Sequence, residues 1–406
     1  MDQAAAAGKL VFTFPGQGSY HSRILEELFE RYPYAAQFEA ANQTTRRILG
    51  REFLPLVQAN PANREQALQA CPDLDQVAIY VTDVLIADLL LKAGIRPDLL
   101  LGHSFGELAA LAAGGAYSFG TGLKMVCQRC LALRPLRAAG RMAAVSCGPD
   151  QAALLIQTSG GKTLQIGVVN HDRQTVISGD AAELSRLGEV AALRGVGHTI
   201  LRSRYPFHSA LLAPAVETFR TALCSYEFQP PTTPVYLGTE DKFYGAECDL
   251  AEILSGQLTR KLDFSAIVRR LYESGYSRFV ECGAGDVLTG ITSKALTGKA
   301  GLICRASAHQ DTGVAAGSAA ILKEFERGLP GQAVDSVPAL LQDVEAVLKR
   351  TSQILGKAAV VVPSLQPVVK AEPQPEAVAQ EPIAIVAMGC VLPGARNVGE
   401  YWDHIL

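Results

Sequence analysis

The chain has 406 residues and a net charge of −3, and 48% of its residues are hydrophobic whereas 19% are charged. This composition supplies a large core, and it excludes both global disorder and the basic field of a nucleic-acid-binding protein. No apolar run reaches the roughly 18 residues that span a membrane, no secretory signal opens the chain, and nine scattered cysteines favour a reduced, cytoplasmic α/β enzyme or binding protein.

Strand, turn and helix patterns alternate in the first part of the chain, which favours a parallel sheet. The apolar run Leu10–Phe14 predicts a buried strand that ends at Pro15-Gly16. Leu74–Ala93 predicts a long buried helix and Asp98–Leu101 a brief strand. Glu107–Ala113 predicts a helix of small residues that can pack close to a sheet.

Residues 141–206 change character and predict a subdomain of their own. Their order β-α-β-β-α-β is typical of the ferredoxin-like arrangement. The predicted elements are Met142–Cys147, Pro149–Thr158, Leu164–Val169, Gln174–Ser178, Ala181–Arg194 and His198–Arg202, with a turn at Asn170–Asp172 between the middle strands. We expect this subdomain to be inserted into a larger α/β domain of residues 1–140 and 207–330, in which Phe279–Glu281 ends a strand.

The pentapeptide Gly102–Gly106 has the G-x-S-x-G pattern between a predicted strand and a predicted helix. A serine on such a sharp turn projects its hydroxyl above the sheet, and the flanking glycines permit a strained backbone. Free N–H groups at the helix N-terminus can stabilise an oxyanion. The pattern therefore predicts that Ser104 is a nucleophile, although an inert serine in a glycine turn has the same local sequence.

A serine nucleophile requires a base, and the chain has seven histidines. His103 adjoins the serine, and adjacent side chains on a turn rarely meet productively. His208 ends Tyr205-Pro206-Phe207-His208, directly after the predicted subdomain. Without further context His208 is more typical of an ordinary histidine than of a catalyst.

Four ordered segments resemble a known family: FPGQGS at 14–19, GHSFGELAALAAGGA at 102–116, Gln128-Arg129 and YPFHS at 205–209. They are similar to malonyl-CoA:acyl-carrier-protein transacylases and, more closely, to acyltransferase domains of modular polyketide synthases. The resemblance covers residues 9–300. It implies a hydrolase-like α/β domain with an inserted ferredoxin-like subdomain, and no bound cofactor. It also implies an acyl-CoA donor and an acyl carrier protein whose phosphopantetheine thiol accepts the acyl group.

The resemblance implies a role for each matching residue. Ser104 matches the nucleophile that forms an acyl-enzyme, and His208 matches the base that activates it. Gln17 and the backbone N–H of Phe105 match the oxyanion hole. Arg129 matches the arginine that pairs with the free carboxylate of a malonyl group, and a guanidinium fork suits that role chemically.

Further residues of the expected site follow from the same resemblance. His103 and Asn170 are expected on the substrate-binding side. In the family a backbone carbonyl orients the histidine, and the matching position here is Gln257. Phe207 fills the space that an α-methyl group needs, which favours malonyl over methylmalonyl. Tyr205 departs from the malonyl pattern and leaves an unusual extender unit open.

The end of the chain predicts a different organisation. The sequence of residues 331–380 predicts a helix followed by a Pro-rich linker. Residues 381–406 resemble the truncated start of a β-ketoacyl synthase domain, which predicts a downstream ketosynthase in the same polypeptide.

Three other interpretations stay open. The transferase could use an unusual or carrier-bound starter or extender unit. A serine acyl-hydrolase would share Ser104 and His208, with water as the acceptor in place of a carrier thiol. A non-catalytic docking domain would need none of these residues. No metal site is expected, because Cys127-x-x-Cys130 has no second pair of ligands.

Overall fold

Strands and helices alternate along the residues that the computed structural model describes, which are 8–18, 22–245, 247–308, 311 and 313–326. The strands are β1 Lys9–Phe14, β2 Leu99–Gly102, β3 Arg141–Val145, β4 Gln165–His171, β5 Gln174–Gly179, β6 His198–Ile200, β7 Val235–Leu237, β8 Lys242–Phe243, β9 Leu262–Asp263, β10 Tyr276–Glu281 and β11 Ile303–Ala306. The α-helices are α1 Ser22–Arg31, α2 Ala35–Leu49, α3 Leu54–Gln58, α4 Pro61–Ala70, α5 Pro72–Lys92, α6 Gly106–Ala113, α7 Phe119–Leu133, α8 Pro149–Ser159, α9 Ala181–Leu193, α10 Ala213–Leu223, α11 Leu250–Gly256, α12 Phe264–Glu273, α13 Val287–Ala295 and α14 Gly313–Glu326.

A six-stranded sheet organises the larger domain, in the order β11-β10-β1-β2-β7-β8. All pairs are parallel except β7 with β8. The predicted strand at Leu10–Phe14 is confirmed as the centre of this sheet, and the predicted helix at Leu74–Ala93 is confirmed as the buried α5. Because Phe14 pairs with Gly102, the loops that follow β1 and β2 lie side by side at the carboxyl edge of the sheet.

A second sheet has the order β6-β3-β5-β4-β9. Its first four strands, with α8 and α9, follow the order β-α-β-β-α-β, and a separate hydrophobic cluster lies beneath them. Two details differ from the sequence prediction. Strand β4 continues through the predicted turn to His171, so that Asn170 lies on a strand. Strand β9, which comes from outside residues 141–206, extends this sheet by pairing in parallel with β4.

These two layers confirm the predicted α/β class. The predicted helix and linker at 331–380 and the predicted ketosynthase start at 381–406 lie outside the described residues. Within the described part of the chain, no helix combines the length and the apolar composition that a membrane crossing requires.

Two glycines allow β1, β2 and α6 to approach one another closely. A Cβ atom on Gly106 would lie 2.0 Å from the carbonyl oxygen of Phe14, and a Cβ atom on Gly102 would lie 2.2 Å from the nitrogen of Glu107. Backbone atoms of a buried sheet cannot move away from such a contact without disturbing their neighbours. Glycine at both positions is therefore a steric requirement of the turn that holds Ser104.

We expect Gly106→Ala to lower the free energy of unfolding by about 3 kcal/mol, because its methyl group meets backbone. The matched control is Gly290→Ala in α13, where a Cβ atom has no neighbour within 4 Å. That change should raise stability by about 0.5 to 1 kcal/mol through the helix preference of alanine. Equilibrium urea denaturation measures both variants. Similar small effects at the two glycines would contradict the steric account.

Candidate active site

Ser104 lies in the turn between β2 and α6 with a left-handed backbone of φ 55°. A non-glycine residue rarely adopts this conformation, and in a tight turn the surrounding structure must hold it there. Hydrogen bonds from His103 N to Phe14 O (2.9 Å) and from Glu107 N to Ser104 O (2.9 Å) fix the turn on both sides of the serine. The sequence motif thus forms the predicted strand, strained turn and helix.

His208 faces the serine directly. The distance from Ser104 Oγ to His208 Nε2 is 2.6 Å, and the distance from His208 Nδ1 to the carbonyl oxygen of Arg260 is also 2.6 Å. A carbonyl oxygen only accepts hydrogen bonds, so Nδ1 carries a proton and donates a hydrogen bond to the carbonyl oxygen of Arg260. Nε2 is then left to accept the hydroxyl proton of Ser104, as a general base must.

The prediction that Gln257 orients the histidine is wrong. The orienting carbonyl belongs to Arg260, three positions further along the chain. The side chain of Gln257 instead turns beneath the nucleophile, where its Nε2 donates to Ser104 O (2.9 Å) and to Glu107 Oε2 (2.7 Å). Gln257 directly follows α11. The next residue, Leu258, accepts a hydrogen bond from the backbone N–H of His208 through its carbonyl oxygen. The carbonyl that contacts the imidazole ring comes two residues later, at Arg260.

Burial sets the protonation state of His208. The side chain is 3% exposed, and burial lowers its pKa to about 4, assisted by the neighbouring His103 and Arg129 and opposed by the bond to Arg260 O. Desolvation disfavours the charged imidazolium, so the ring is neutral at physiological pH. A neutral imidazole is the form that can take a proton from Ser104.

The loop after β1 lies against the nucleophile turn. A Cβ atom on Gly16 would lie 2.7 Å from His103 O and 3.6 Å from Phe105 N, so the chain before Gln17 runs directly beside this turn. Among the described residues, Oε1 of Gln17 is buried without a hydrogen-bond partner, and no acceptor is found for the backbone N–H of Phe105. The N–H of Phe105 is a donor of the kind that an oxyanion hole requires. The amide oxygen of Gln17 only accepts hydrogen bonds, so Gln17 can serve an oxyanion only through its NH2 group.

Arg129 projects from α7 into the same region and is 1% exposed. Its guanidinium carbon lies 4.7 Å from the centre of the Phe207 ring and 5.2 Å from the centre of the Phe105 ring, which are cation–π distances. Nη1 donates to Oε1 of Gln76, and Nε has no acceptor among the described residues. Burial lowers its pKa from 12.5 to about 10, so the group stays cationic at neutral pH.

The remaining predicted residues lie around this core. His103 Nε2 is 3.0 Å from Asn170 Oδ1, and Asn170 Nδ2 donates to Gln174 Oε1 at 2.9 Å. This contact joins the nucleophile turn to β4 of the second sheet. The buried rings of Tyr205 and Phe207 lie 5.6 Å apart.

Sequence reasoning missed Arg260, Gln76 and Glu107. Glu107 is fully buried under Ser104, and burial raises its pKa to about 7. A polar residue within an apolar helix pattern is the signal that could have identified Gln76 and Glu107. Arg260 acts through its backbone, for which residue type gives no signal. Across the described part of the chain, no cluster of three or more His, Cys, Asp or Glu could hold a metal ion, and Cys127 and Cys130 are buried free thiols.

The lowered pKa of His208 has a measurable consequence. Acylation of Ser104 should proceed at a constant rate from about pH 5.5 to 8, because the base is already neutral there, whereas an ordinary histidine gives a midpoint near about 6.5. Rapid quenching followed by intact-mass measurement gives the rate at each pH. Glu107 titrates near 7 in the same network, and Glu107→Gln removes that titration. If the pH profile of acylation has a midpoint at about 6.5 and keeps it in Glu107→Gln, the lowered pKa of His208 is contradicted.

Known proteins that are similar to this chain are described as acyl transferases or polyketide synthases. The family described as "Acyl transferase domain" matches residues 11–367. A malonyl CoA-acyl carrier protein transacylase of Bacillus subtilis (strain 168) is 31% identical over 294 residues, which cover 70% of this chain and 90% of that protein. Polyketide synthase GfsA of Streptomyces halstedii is 29% identical over 297 residues, which cover 72% of this chain but only 4% of the synthase.

Solved structures show the same fold. The acyltransferase domain from the second module of the salinomycin polyketide synthase superimposes with a TM-score of 0.68 at 26% identity, over 77% of this chain and 72% of that one. The malonyl CoA-acyl carrier protein transacylase of Clostridium perfringens gives a TM-score of 0.67 at 25% identity, over 78% and 98%. The chain therefore belongs to the acyl transferase domain family and is an acyltransferase.

Proposed function

We propose that the chain transfers a malonyl group from CoA to the phosphopantetheine thiol of an acyl carrier protein in polyketide biosynthesis. The observation that carries this proposal is Arg129, a buried cation that bonds to the neutral Gln76 and has no carboxylate among the described groups that shift its pKa. It packs against Phe105 and Phe207, the direct neighbours of Ser104 and His208. The names of the Bacillus subtilis and Streptomyces halstedii relatives support the substrate and the biosynthetic setting.

The first half-reaction starts at the Ser104–His208 hydrogen bond. As Ser104 Oγ attacks the thioester carbonyl, its proton passes to His208 Nε2 and the carbonyl oxygen becomes an oxyanion. The backbone N–H of Phe105 and the side-chain NH2 group of Gln17 stabilise this oxyanion. Collapse of the tetrahedral intermediate breaks the carbon–sulfur bond. His208 returns the proton to the departing CoA thiolate, and a Ser104 ester remains.

The second half-reaction reverses these steps with a different thiol. His208 takes the proton of the phosphopantetheine thiol, and the sulfur attacks the Ser104 ester. The second tetrahedral intermediate then collapses, and the proton returns to Ser104 Oγ. A carbonyl orients the His208 ring and burial keeps it neutral between steps. The same ring can therefore act as base and then as acid in each half-reaction.

The selectivity of the site follows from Arg129 and Phe207. A buried guanidinium stabilises an acyl group that carries a free carboxylate, because the carboxylate compensates the buried positive charge and accepts its hydrogen bonds. An acetyl group leaves the cation without an anion. Phe207 fills space beside the histidine, and we infer that it disfavours an α-methyl substituent. Tyr205, His103 and Asn170 complete the expected substrate side.

We also propose the surroundings of this domain on the strength of the sequence. Residues 331–380 would form a helix and linker, and 381–406 the start of a ketosynthase domain that partners the transferase in one polypeptide. A cytoplasmic location and an acyl-CoA donor without a bound cofactor are consistent with this setting.

The direct test is a competition among malonyl-, methylmalonyl- and acetyl-CoA, read by intact mass. We expect a malonyl adduct on the wild-type protein and none on Ser104→Ala. Arg129→Gln should lower kcat/KM for malonyl by roughly 100-fold, which corresponds to about 3 kcal/mol for a lost buried charge contact. Acetyl uptake should change much less, and it serves as the control for an intact Ser104–His208 pair.

Three outcomes would contradict the proposal. A preference for acetyl would overturn the substrate. Rapid release of free malonate without transfer to a carrier thiol would identify an acyl-hydrolase. Retention of malonyl selectivity in Arg129→Gln would remove the role of the buried cation.

A further inference from the structure

Gln76 and Arg129 form a buried pair with unused donors. Gln76 lies on α5 and is 0% exposed. Its Oε1 accepts a hydrogen bond from Nη1 of Arg129. Nε2 of Gln76 and Nε of Arg129 are both buried, and neither has a partner among the described residues. Buried polar groups are nearly always paired in folded proteins, so two unpaired donors in one contact indicate a place for an acceptor.

The pair of Gln76 and Arg129 carries a net positive charge, because the residue at position 76 is an uncharged amide. The carboxylate of Asp73, three residues earlier on the same helix, is held by Arg134 at 2.8 Å and by Arg137 at 3.4 Å. No carboxylate is among the groups that shift the pKa of Arg129. A glutamate at position 76 would neutralise the guanidinium, whereas glutamine fixes its position and leaves its charge uncompensated.

We propose that Gln76 is a specificity-determining residue that positions Arg129 for the free carboxylate of the acyl group. Its Oε1 fixes one arm of the guanidinium, and its Nε2 supplies a further donor to the same carboxylate. This inference rests on the proposed transfer of a carboxylated acyl group. On this inference, the preference for a carboxylated acyl group depends on Gln76 of α5 together with Arg129 of α7, and not on Arg129 alone.

The test compares acyl-enzymes formed from equal concentrations of malonyl-CoA and acetyl-CoA after a short reaction, measured by intact mass. Gln76→Glu keeps the size of the side chain and places an anion on Arg129. We expect the malonyl-to-acetyl ratio to fall by roughly 100-fold, because the site then rejects a second carboxylate. Gln76→Met keeps the volume without either polar atom, and the ratio should fall by roughly 10-fold.

The matched control is Gln151→Glu, which makes the same chemical change at an exposed position of α8. It should keep the wild-type ratio. Retained acetyl uptake in the Gln76 variants shows that Ser104 and His208 still react. If Gln76→Glu does not fold, Gln76→Met decides the question.

The inference is overturned if the Gln76 variants keep the wild-type ratio, or if they lower malonyl and acetyl uptake equally. Either result would assign Gln76 a merely structural role while leaving malonyl transfer intact. A wild-type protein that takes up acetyl but no malonyl would overturn the proposed function and this inference together.

Discussion

The close approach of β1, β2 and α6 is the constraint on which the site depends. Gly102 and Gly106 leave no room for a Cβ atom between these elements, and the turn they enclose holds Ser104 at φ 55°. His208 is likewise left-handed, at φ 59°. Such conformations cost about 1 to 3 kcal/mol each, and only a rigid surrounding structure maintains them. The sheet and its helices supply that rigidity, and the result is the 2.6 Å contact between Oγ and Nε2.

Burial has opposite consequences for the two basic groups of the site. It lowers the pKa of His208 to about 4, which leaves the imidazole neutral and able to accept a proton. It also lowers the pKa of Arg129, but only to about 10, so the guanidinium keeps its charge. One buried region therefore contains a neutral base and an uncompensated cation. In the proposed reaction the base takes the proton of Ser104, and we infer that the cation, held by Gln76, favours an acyl group with its own anion.

The sequence was most informative where chemistry depends on side chains in a local motif. The strand, turn and helix around Ser104 could be predicted because glycine spacing and apolar runs report the backbone directly. The carbonyl that orients His208 could not, since any residue supplies a carbonyl, and Arg260 was missed in favour of Gln257. Strand β9 has only two residues, too few for a periodic pattern, yet it joins the second sheet to the larger domain. Gln76 and Glu107 are polar residues within buried apolar helices, and this signal was present in the sequence but was not used.

We propose that the buried guanidinium of Arg129 receives the free carboxylate of an acyl group esterified to Ser104. A crystal structure of the protein reacted with malonyl-CoA tests it most directly. We expect a Ser104 ester whose carboxylate lies within hydrogen-bond distance of Arg129 and Nε2 of Gln76, with the ester carbonyl oxygen facing the N–H of Phe105. An ester whose carboxylate points to solvent, with Arg129 bonded only to Gln76 as before, would contradict it.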